Sequence, residues 1–270
     1  MAENGRILID DLEGQPAARR ARAPGPVAPS PAMPETTERE DWLQRYNAPP
    51  TPVEFPDDDP LSPLYMRFDL NETPGSILHY WLGYSADRAS MLEDRRSLWF
   101  NGGFELDRMI AHRFTSIVAK LASGLALRWA AQGPRERLAA VIALDQFSRN
   151  IFRNTPGAFE NDPIAVKLTR EAIANGEDLT LKPVERWFLY MPLMHSESST
   201  DQRRSLDKFS ELASQAPPEL KEALTSAYDF AKRHANVIKK FGRFPHRNVI
   251  LGRTTTSAEK KFLKQPGSRF

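Results

Sequence analysis

Five polar residues interrupt an otherwise apolar stretch in the middle of the chain, residues 138–153. They are Asp145, Gln146, Arg149, Asn150 and Arg153. On a helix that turns by about 100° per residue, they would share one arc of roughly 140°. This arc contains neither Lys nor Glu, the residues that usually fill a solvated helix face. Because partly buried polar groups need hydrogen-bond partners or a ligand, the stripe is a candidate binding surface.

A simpler interpretation of the stripe carries equal weight. Asp145 and Arg149 are four residues apart, so they can form an ion pair on one helix face. Such a pair, when buried, can serve only to fix how helices pack. The sequence leaves both interpretations open.

A second polar group follows Pro192 and consists of Tyr190, His195, Ser196 and Glu197. Histidine changes its charge near neutral pH, so His195 is a candidate acid or base. We predict that Pro192 kinks or ends its helix, because proline removes a backbone donor. Taken alone, however, this group is better explained as an interhelical turn and helix cap.

A third polar group lies near the carboxyl end, in the segment FGRFPHRNVILGR at 241–253. It comprises Arg243, His246, Arg247, Asn248 and Arg253. Basic and amide donors on a loop anchored by apolar residues suit an oxyanion such as phosphate or carboxylate. The alternative is a basic loop that caps helix C-termini. We favour the ligand interpretation slightly, because anchored loops often carry function.

Together these groups suggest one composite site for an anionic small molecule or a peptide end. In this hypothesis His195 or His246 is the acid or base, and Asp145 or Glu197 orients it. The remaining members would contact the ligand: Gln146, Arg149, Asn150, Arg153, Tyr190, Arg243, Arg247, Asn248 and Arg253. The hypothesis requires the three groups to converge in one hydrogen-bonded network. Whether the site is catalytic is left open.

The elements that must position these residues are predicted to be helices throughout. No segment shows sustained alternation of apolar and polar residues between hairpin turns. We therefore predict an all-α domain of antiparallel helical hairpins over residues 73–270, preceded by a Pro-rich, mostly disordered extension over 1–72. Within that extension, Trp42 belongs to a small apolar island, and Met33 is an alternative start.

Local signals place several helix ends. Pro74, Pro134 and Pro183 are predicted to lie in first turns, where a missing N–H costs little. Two segments, 199–202 and 256–259, have the Ser/Thr-x-x-Gln/Glu pattern of a capping box. Residues 97–103, SLWFNGG, are predicted to form a turn.

Composition excludes several classes of function. The chain has no Cys, so it has no disulfide and no thiolate metal site or nucleophile. No apolar run reaches the roughly 20 residues of a membrane helix, and the start lacks an apolar secretory region. We expect a cytoplasmic protein without membrane contact. No nucleotide-binding or metal-binding motif is present, and we assign no cofactor and no metal.

The three polar segments also resemble a known family. LDQFSRNIFRNTPGAF (144–159), ERWFLYMPLMHSE (185–197) and FGRFPHRNVILGR (241–253) are similar, in the same order, to the signature blocks of the bacterial domain of unknown function 924. This resemblance covers roughly residues 73–265 and implies a tetratricopeptide-like helical fold without an assigned reaction. One departure is Ser148, which stands where the family usually has proline.

Two other functions compete with the composite site. A helical scaffold for a protein partner would use a concave surface, and the polar groups would then be structural. Nucleic-acid contact is ranked third and regarded as unlikely. It would depend on residues 231–270, which contain 11 Lys and Arg but only one acid, Glu259. We rank it low because the aromatic residues there are spaced as core anchors.

Overall fold

The computed structural model describes residues 72–83, 89–100 and 102–268. The predicted extension over 1–72, with Trp42 and Met33, lies outside these residues except for Glu72. Twelve α-helices occur in the described part, and none of its residues lies in a strand. They are α1 Pro74–Leu82, α2 Ala89–Phe100, α3 Phe104–Lys120, α4 Ala126–Ala130, α5 Pro134–Ile142, α6 Ser148–Ile151, α7 Gly157–Glu160, α8 Asp162–Ala174, α9 Pro183–His195, α10 Ser199–Ser214, α11 Lys221–Phe241 and α12 Ser257–Phe262.

The all-α prediction is confirmed, and so are most of the predicted helix starts. Pro74, Pro134 and Pro183 each lie in the first turn of a helix. Thr256 caps α12 by accepting a hydrogen bond from the backbone N–H of Glu259, whose side chain reaches back to the cap. Local capping chemistry therefore determines these ends without help from tertiary contacts.

Two local predictions are wrong, and of the kink or end predicted at Pro192 only the end is excluded. Residues 97–100 of the predicted turn belong to helix α2. The capping box expected at Ser199 is absent, because the Gln202 amide donates instead to backbone carbonyls at the end of α9, including that of Met194 at 2.7 Å. Helix α9 continues through Pro192 and ends only at His195. At Gln202, contacts with the end of the neighbouring helix replace the local rule.

The hydrophobic core surrounds helix α5, which packs against α1, α4, α8 and α9. Every residue from 137 to 148 is buried. Large rings complete the core, and Trp81 meets both Phe147 and Phe188 edge to face at 5.4 and 5.9 Å between ring centroids. Burial on all sides explains why this segment carries apolar residues around nearly its whole circumference.

The central segment is not one regular helix. A widened π-helical turn, Ala143–Phe147, separates α5 from α6, and it contains both Asp145 and Gln146. The regular helix then ends at Ile151, so Arg153 lies beyond it. The single 140° arc expected for the polar residues is therefore wrong, because it assumed an uninterrupted helix through residue 153. Widened turns of this kind occur often at functional sites.

Gly124 offers a test of the kink within Leu121–Leu125, between α3 and α4, where its φ is 117°. We expect Gly124→Ala to lower the free energy of unfolding by about 1–3 kcal/mol, because this backbone conformation is costly for a residue with a Cβ. An added Cβ meets no atom within 4 Å, so steric overlap does not contribute. Urea unfolding measures the change.

Gly103→Ala is the matched control for this prediction. Gly103 has an extended φ of −132° and also has open space around an added Cβ. We expect its stability to change by less than about 0.5 kcal/mol. Equal effects of the two substitutions would contradict the role assigned to the Gly124 backbone.

Candidate functional site

Asp145 and His195 form the centre of the candidate site. The Asp145 carboxylate oxygens lie 2.8 and 3.0 Å from His195 Nδ1, although the two residues are 50 positions apart. Asp145 is 1% exposed, and it is held on the widened turn before α6. His195 is the last residue of α9. Because a carboxylate accepts hydrogen bonds, this contact assigns the ring proton to Nδ1 and leaves Nε2 as the acceptor in the neutral ring.

An alternating chain of charges extends from Asp145. Arg149 Nη1 lies 3.1 Å from Asp145 and 3.0 Å from Asp162. Asp162 also pairs with Arg247 at 3.3 Å, and Arg247 Nη2 donates to the backbone carbonyl of His195 at 2.9 Å. This network of ion pairs and hydrogen bonds therefore forms a closed ring, and it joins three segments that are distant in sequence.

Glu197 fixes the C-terminal loop against this centre. Its carboxylate pairs with Arg253 at 2.7 Å and accepts a hydrogen bond from the backbone N–H of Phe244 at 2.7 Å. Arg253 also donates to the backbone carbonyl of Phe244. The two ends of the loop at 244–253 are thus tied to one carboxylate beside His195, which restricts the position of Arg247 between them.

These residues border an open cleft of about 670 Å³. His195, Ser196, Glu197 and Arg247 lie on its polar side. Its other polar lining residues are Glu160, Asp162, Arg170, Ser198 and Asp201, and its apolar lining residues are Pro156, Phe159, Pro163, Val166 and Leu251. The Arg247 guanidinium lies 4.5 Å from the centre of the Phe159 ring, so it is held by both ion pairing and an aromatic face. A cleft with this lining can hold a small ligand that has both apolar and charged parts.

The charges at the centre follow from burial and proximity. Burial disfavours the Asp145 carboxylate, but Arg149 and His195 overcome it and hold its pKa below the usual range. Burial lowers the pKa of His195, Arg149 lowers it further, and Asp145 only partly opposes them. His195 is therefore neutral at pH 7, with Nε2 available to accept a proton.

Two further histidines lie close by. Burial lowers the pKa of His234 to about 3 and that of His246 to about 4. The His195 and His234 ring centroids are 6.1 Å apart. The His246 ring contacts Phe244, with 5.6 Å between their centroids. His246 does not line the cleft, so its position does not favour the catalytic role suggested from sequence.

The structure brings together members of all three polar groups. Those that meet around His195 are Asp145, Gln146, Arg149, Glu197, Arg247 and Arg253. Gln146 donates through Nε2 to the Asp145 carboxylate. Asn248 is fully buried in the loop that Glu197 and Arg253 hold. The convergence expected from the sequence therefore holds for these side chains.

Four other candidates lie in separate networks. Asn150 and Arg153 both bind Asp107 of α3. Arg243 pairs with Glu259 at the start of α12. Tyr190, placed with these residues from sequence, points into the protein core, where its hydroxyl donates to Asp178 at 2.6 Å. Their three partners, Asp107, Glu259 and Asp178, lie on three different elements, which sequence spacing does not reveal.

Asp162 is the functional candidate that sequence reasoning missed. In the sequence the Asp162-Pro163 pair indicates only a helix start, and Asp162 does begin α8. Its carboxylate nevertheless bridges Arg149 and Arg247. The one available signal was the count of arginines, since two arginines facing one site require a counterion. Within the described ranges, no group of three His, Asp or Glu side chains is placed to hold a metal ion.

Comparison with known proteins gives a family but no activity. The family model described as a bacterial protein of unknown function, DUF924, matches residues 77–267. A solved structure of a protein of unknown function from Agrobacterium tumefaciens is similar, with 29% identity and a TM-score of 0.60. That similarity covers 71% of this chain and 96% of the other. No curated protein matches the chain significantly. In the described part of the chain, no helix has the length and hydropathy needed to cross a membrane.

Proposed function

Because the chain belongs to the DUF924 family of bacterial proteins, a match that carries no assigned reaction, we propose a function from the cleft itself. The cleft binds a small molecule or peptide end that has an anionic group, and His195 acts on it as a general base. The observation that carries this proposal is the Asp145–His195 contact, which leaves Nε2 as the acceptor at the wall of a 670 Å³ cleft.

The Asp145–His195 pair suits proton transfer better than simple packing. A neutral imidazole with a carboxylate on Nδ1 accepts a proton at Nε2, and the carboxylate then stabilises the imidazolium. Burial and Arg149 keep His195 neutral, so it is ready to accept this proton at pH 7. A residue that serves only to pack helices would not need its second ring nitrogen at a cleft.

Arg247 supports an anionic group on the ligand, and it would have to hold that group beside the carboxylates of Glu160, Asp162, Glu197 and Asp201, which also line the cleft. Arg247 lines the cleft, and the Nε atom of its guanidinium is buried without a hydrogen-bond partner within the described part of the chain. An oxyanion in the cleft would supply an acceptor beside a cation that is already held in place. The apolar side of the cleft would receive the uncharged part of the same ligand.

The first test follows His195 by NMR in protein labelled with ¹⁵N-histidine. We expect Nδ1 to carry the proton, and we expect the Nε2 resonance to shift saturably with inorganic phosphate, acetate or an N-acetylated tripeptide. His112, exposed on α3, is the internal control and should not respond. The proposal would be contradicted by a proton on Nε2. It would also be contradicted if none of the three probes shifts the Nε2 resonance.

The second test concerns catalysis. We expect the protein to hydrolyse at least one member of a panel of carboxylic esters, phosphate esters and peptide anilides that carry a negative charge. His195→Gln should lower that rate by about 10²–10⁴-fold, the usual contribution of a general base. His112→Gln should leave it unchanged. An unchanged rate of hydrolysis in His195→Gln would exclude the general-base role. Ligand binding would then still be tested by the NMR experiment.

A protein-binding scaffold remains the alternative proposal, in which the ion-pair chain only joins α6, α8, α9 and the C-terminal loop. The two proposals differ in the response of His195 to small anions. The scaffold predicts that inorganic phosphate, acetate and the tripeptide leave the Nε2 resonance unchanged, whereas the ligand site predicts a saturable shift.

A further inference from the structure

A second surface lies on helices α11 and α12 and on the residues that follow α12. We call it the basic surface, and it contains Arg233, Lys239, Lys240, Lys260, Lys261 and Lys264. All six side chains are exposed, and within the described residues none pairs with an acidic side chain. This distinguishes them from Arg243, Arg247 and Arg253 of the same region, which are each neutralised by a carboxylate.

The basic surface contains a groove of about 190 Å³ between α11 and the C-terminal residues. Arg233, Asn236 and Lys240 line it from α11, and Phe262 lines it from α12. The distance along α11 from Arg233 to Lys240 is about 10 Å at 1.5 Å per residue. The groove thus combines an amide and an apolar floor with two cations that pair with no acid in the described part of the chain, although Asp229 pairs with Lys232 next to Arg233.

One exposed aromatic side chain lies beside Arg233, which lines this groove. Phe230, one turn before Arg233, is 43% exposed, and the Arg233 guanidinium lies 3.8 Å from the centre of its ring. The prediction that aromatic residues of the C-terminal region are mostly spaced as core anchors fits Phe241 and Phe262, which pack together, whereas Phe230, just before that region, is exposed. An exposed ring stacked under a guanidinium provides a planar platform beside the cations.

We propose that the basic surface binds single-stranded nucleic acid. The lysines and Arg233 would contact the phosphate backbone, and the Phe230–Arg233 platform would stack against a base. A single-stranded nucleic acid fits the basic surface better than an acidic peptide does, because Asp and Glu side chains have no ring to stack on the Phe230–Arg233 platform. The inference is independent of the cleft at His195, since the two sites share no lining residue.

The test is fluorescence anisotropy of the full chain with a labelled 20-mer of oligouridylate. We expect the logarithm of the binding constant to fall linearly with the logarithm of salt concentration, with a slope of about −2 to −4, as expected for roughly three to six phosphate contacts. Combined Arg233→Glu and Lys240→Glu should weaken binding at least tenfold. Phe230→Ala should weaken it about five-fold or more and leave the salt slope unchanged, because stacking does not release counterions.

Arg128→Glu is the control for charge, since it reverses one exposed cation on α4 as Arg233→Glu and Lys240→Glu each do on α11. It should bind as the unaltered chain does, and circular dichroism should show each variant folded. His195→Gln should also bind normally, which separates this site from the cleft. The proposal is overturned if binding does not depend on salt or if Arg128→Glu weakens it equally. It is likewise overturned if Phe230→Ala has no effect, or if polyglutamate or phosphatidylserine vesicles bind more tightly than the oligonucleotide.

Discussion

Replacing Asp145 with alanine is expected to lower the free energy of unfolding by about 3–5 kcal/mol. The substitution leaves the half-buried Arg149 with one counterion fewer, and it removes the acceptor for His195 Nδ1. Removing one partner from a buried charge network commonly costs this much, because the remaining charge stays buried without compensation. Asp145→Asn, which keeps the shape and one acceptor oxygen, should cost less.

Urea unfolding at pH 7 measures the effect of Asp145→Ala. Asp107→Ala is the matched control, because Asp107 also pairs with an arginine but does so where the Arg153 side chain is 49% exposed. We expect about 1 kcal/mol or less there, since exposed ion pairs are screened by water and contribute little. Equal losses for the two variants would show that burial of the Asp145 network has no special energetic role.

The stability of the protein should fall steeply between pH 7 and pH 5, by about 4 kcal/mol. His234 and His246 have pKa values lowered by burial to about 3 and about 4, whereas the unfolded chain has values near 6.5. Below pH 6.5 the unfolded state therefore binds protons that the folded state excludes, so stability is full above pH 6.5 and is lost as the pH falls. Each group contributes about 2 kcal/mol at pH 5, at 1.36 kcal/mol per pH unit.

Carboxylates contribute little to the loss of folding stability between pH 7 and pH 5. Asp145 and Glu197 have lowered pKa values in the folded protein, so the stability that they add is lost only as the pH falls through and below their ordinary range near 4. His195, whose pKa is also lowered, acts in the same direction as the other two histidines. The histidines therefore dominate the change between pH 7 and pH 5.

Urea unfolding at several pH values tests this expectation. His234→Gln can keep a hydrogen bond to the Phe230 carbonyl, and it should remove about half of the pH dependence. Asn236→Gln, at an exposed position on the same helix, should leave the dependence unchanged. A His234→Gln variant that loses stability on acidification as steeply as the unaltered chain would contradict the assignment.

The fold class and most helix ends could be predicted because they depend on local chemistry. A proline in a first turn or the Thr256 capping box acts within four residues, so no distant contact is needed to infer it. Where distant groups compete, local rules fail. The Gln202 amide caps the preceding helix instead of its own, because the carbonyls at the end of α9 lie within its reach.

By itself, the sequence determined that the chain is helical, and it identified the polar segments around Asp145, His195 and Arg247. Only the tertiary structure decided which of their members meet. It placed Asp145 beside His195, added Asp162 as the shared counterion, and directed Arg153, Arg243 and Tyr190 to other partners. The physical reason is that a buried charge must be neutralised by whatever group packing brings near it, and packing depends on contacts between residues far apart in the chain.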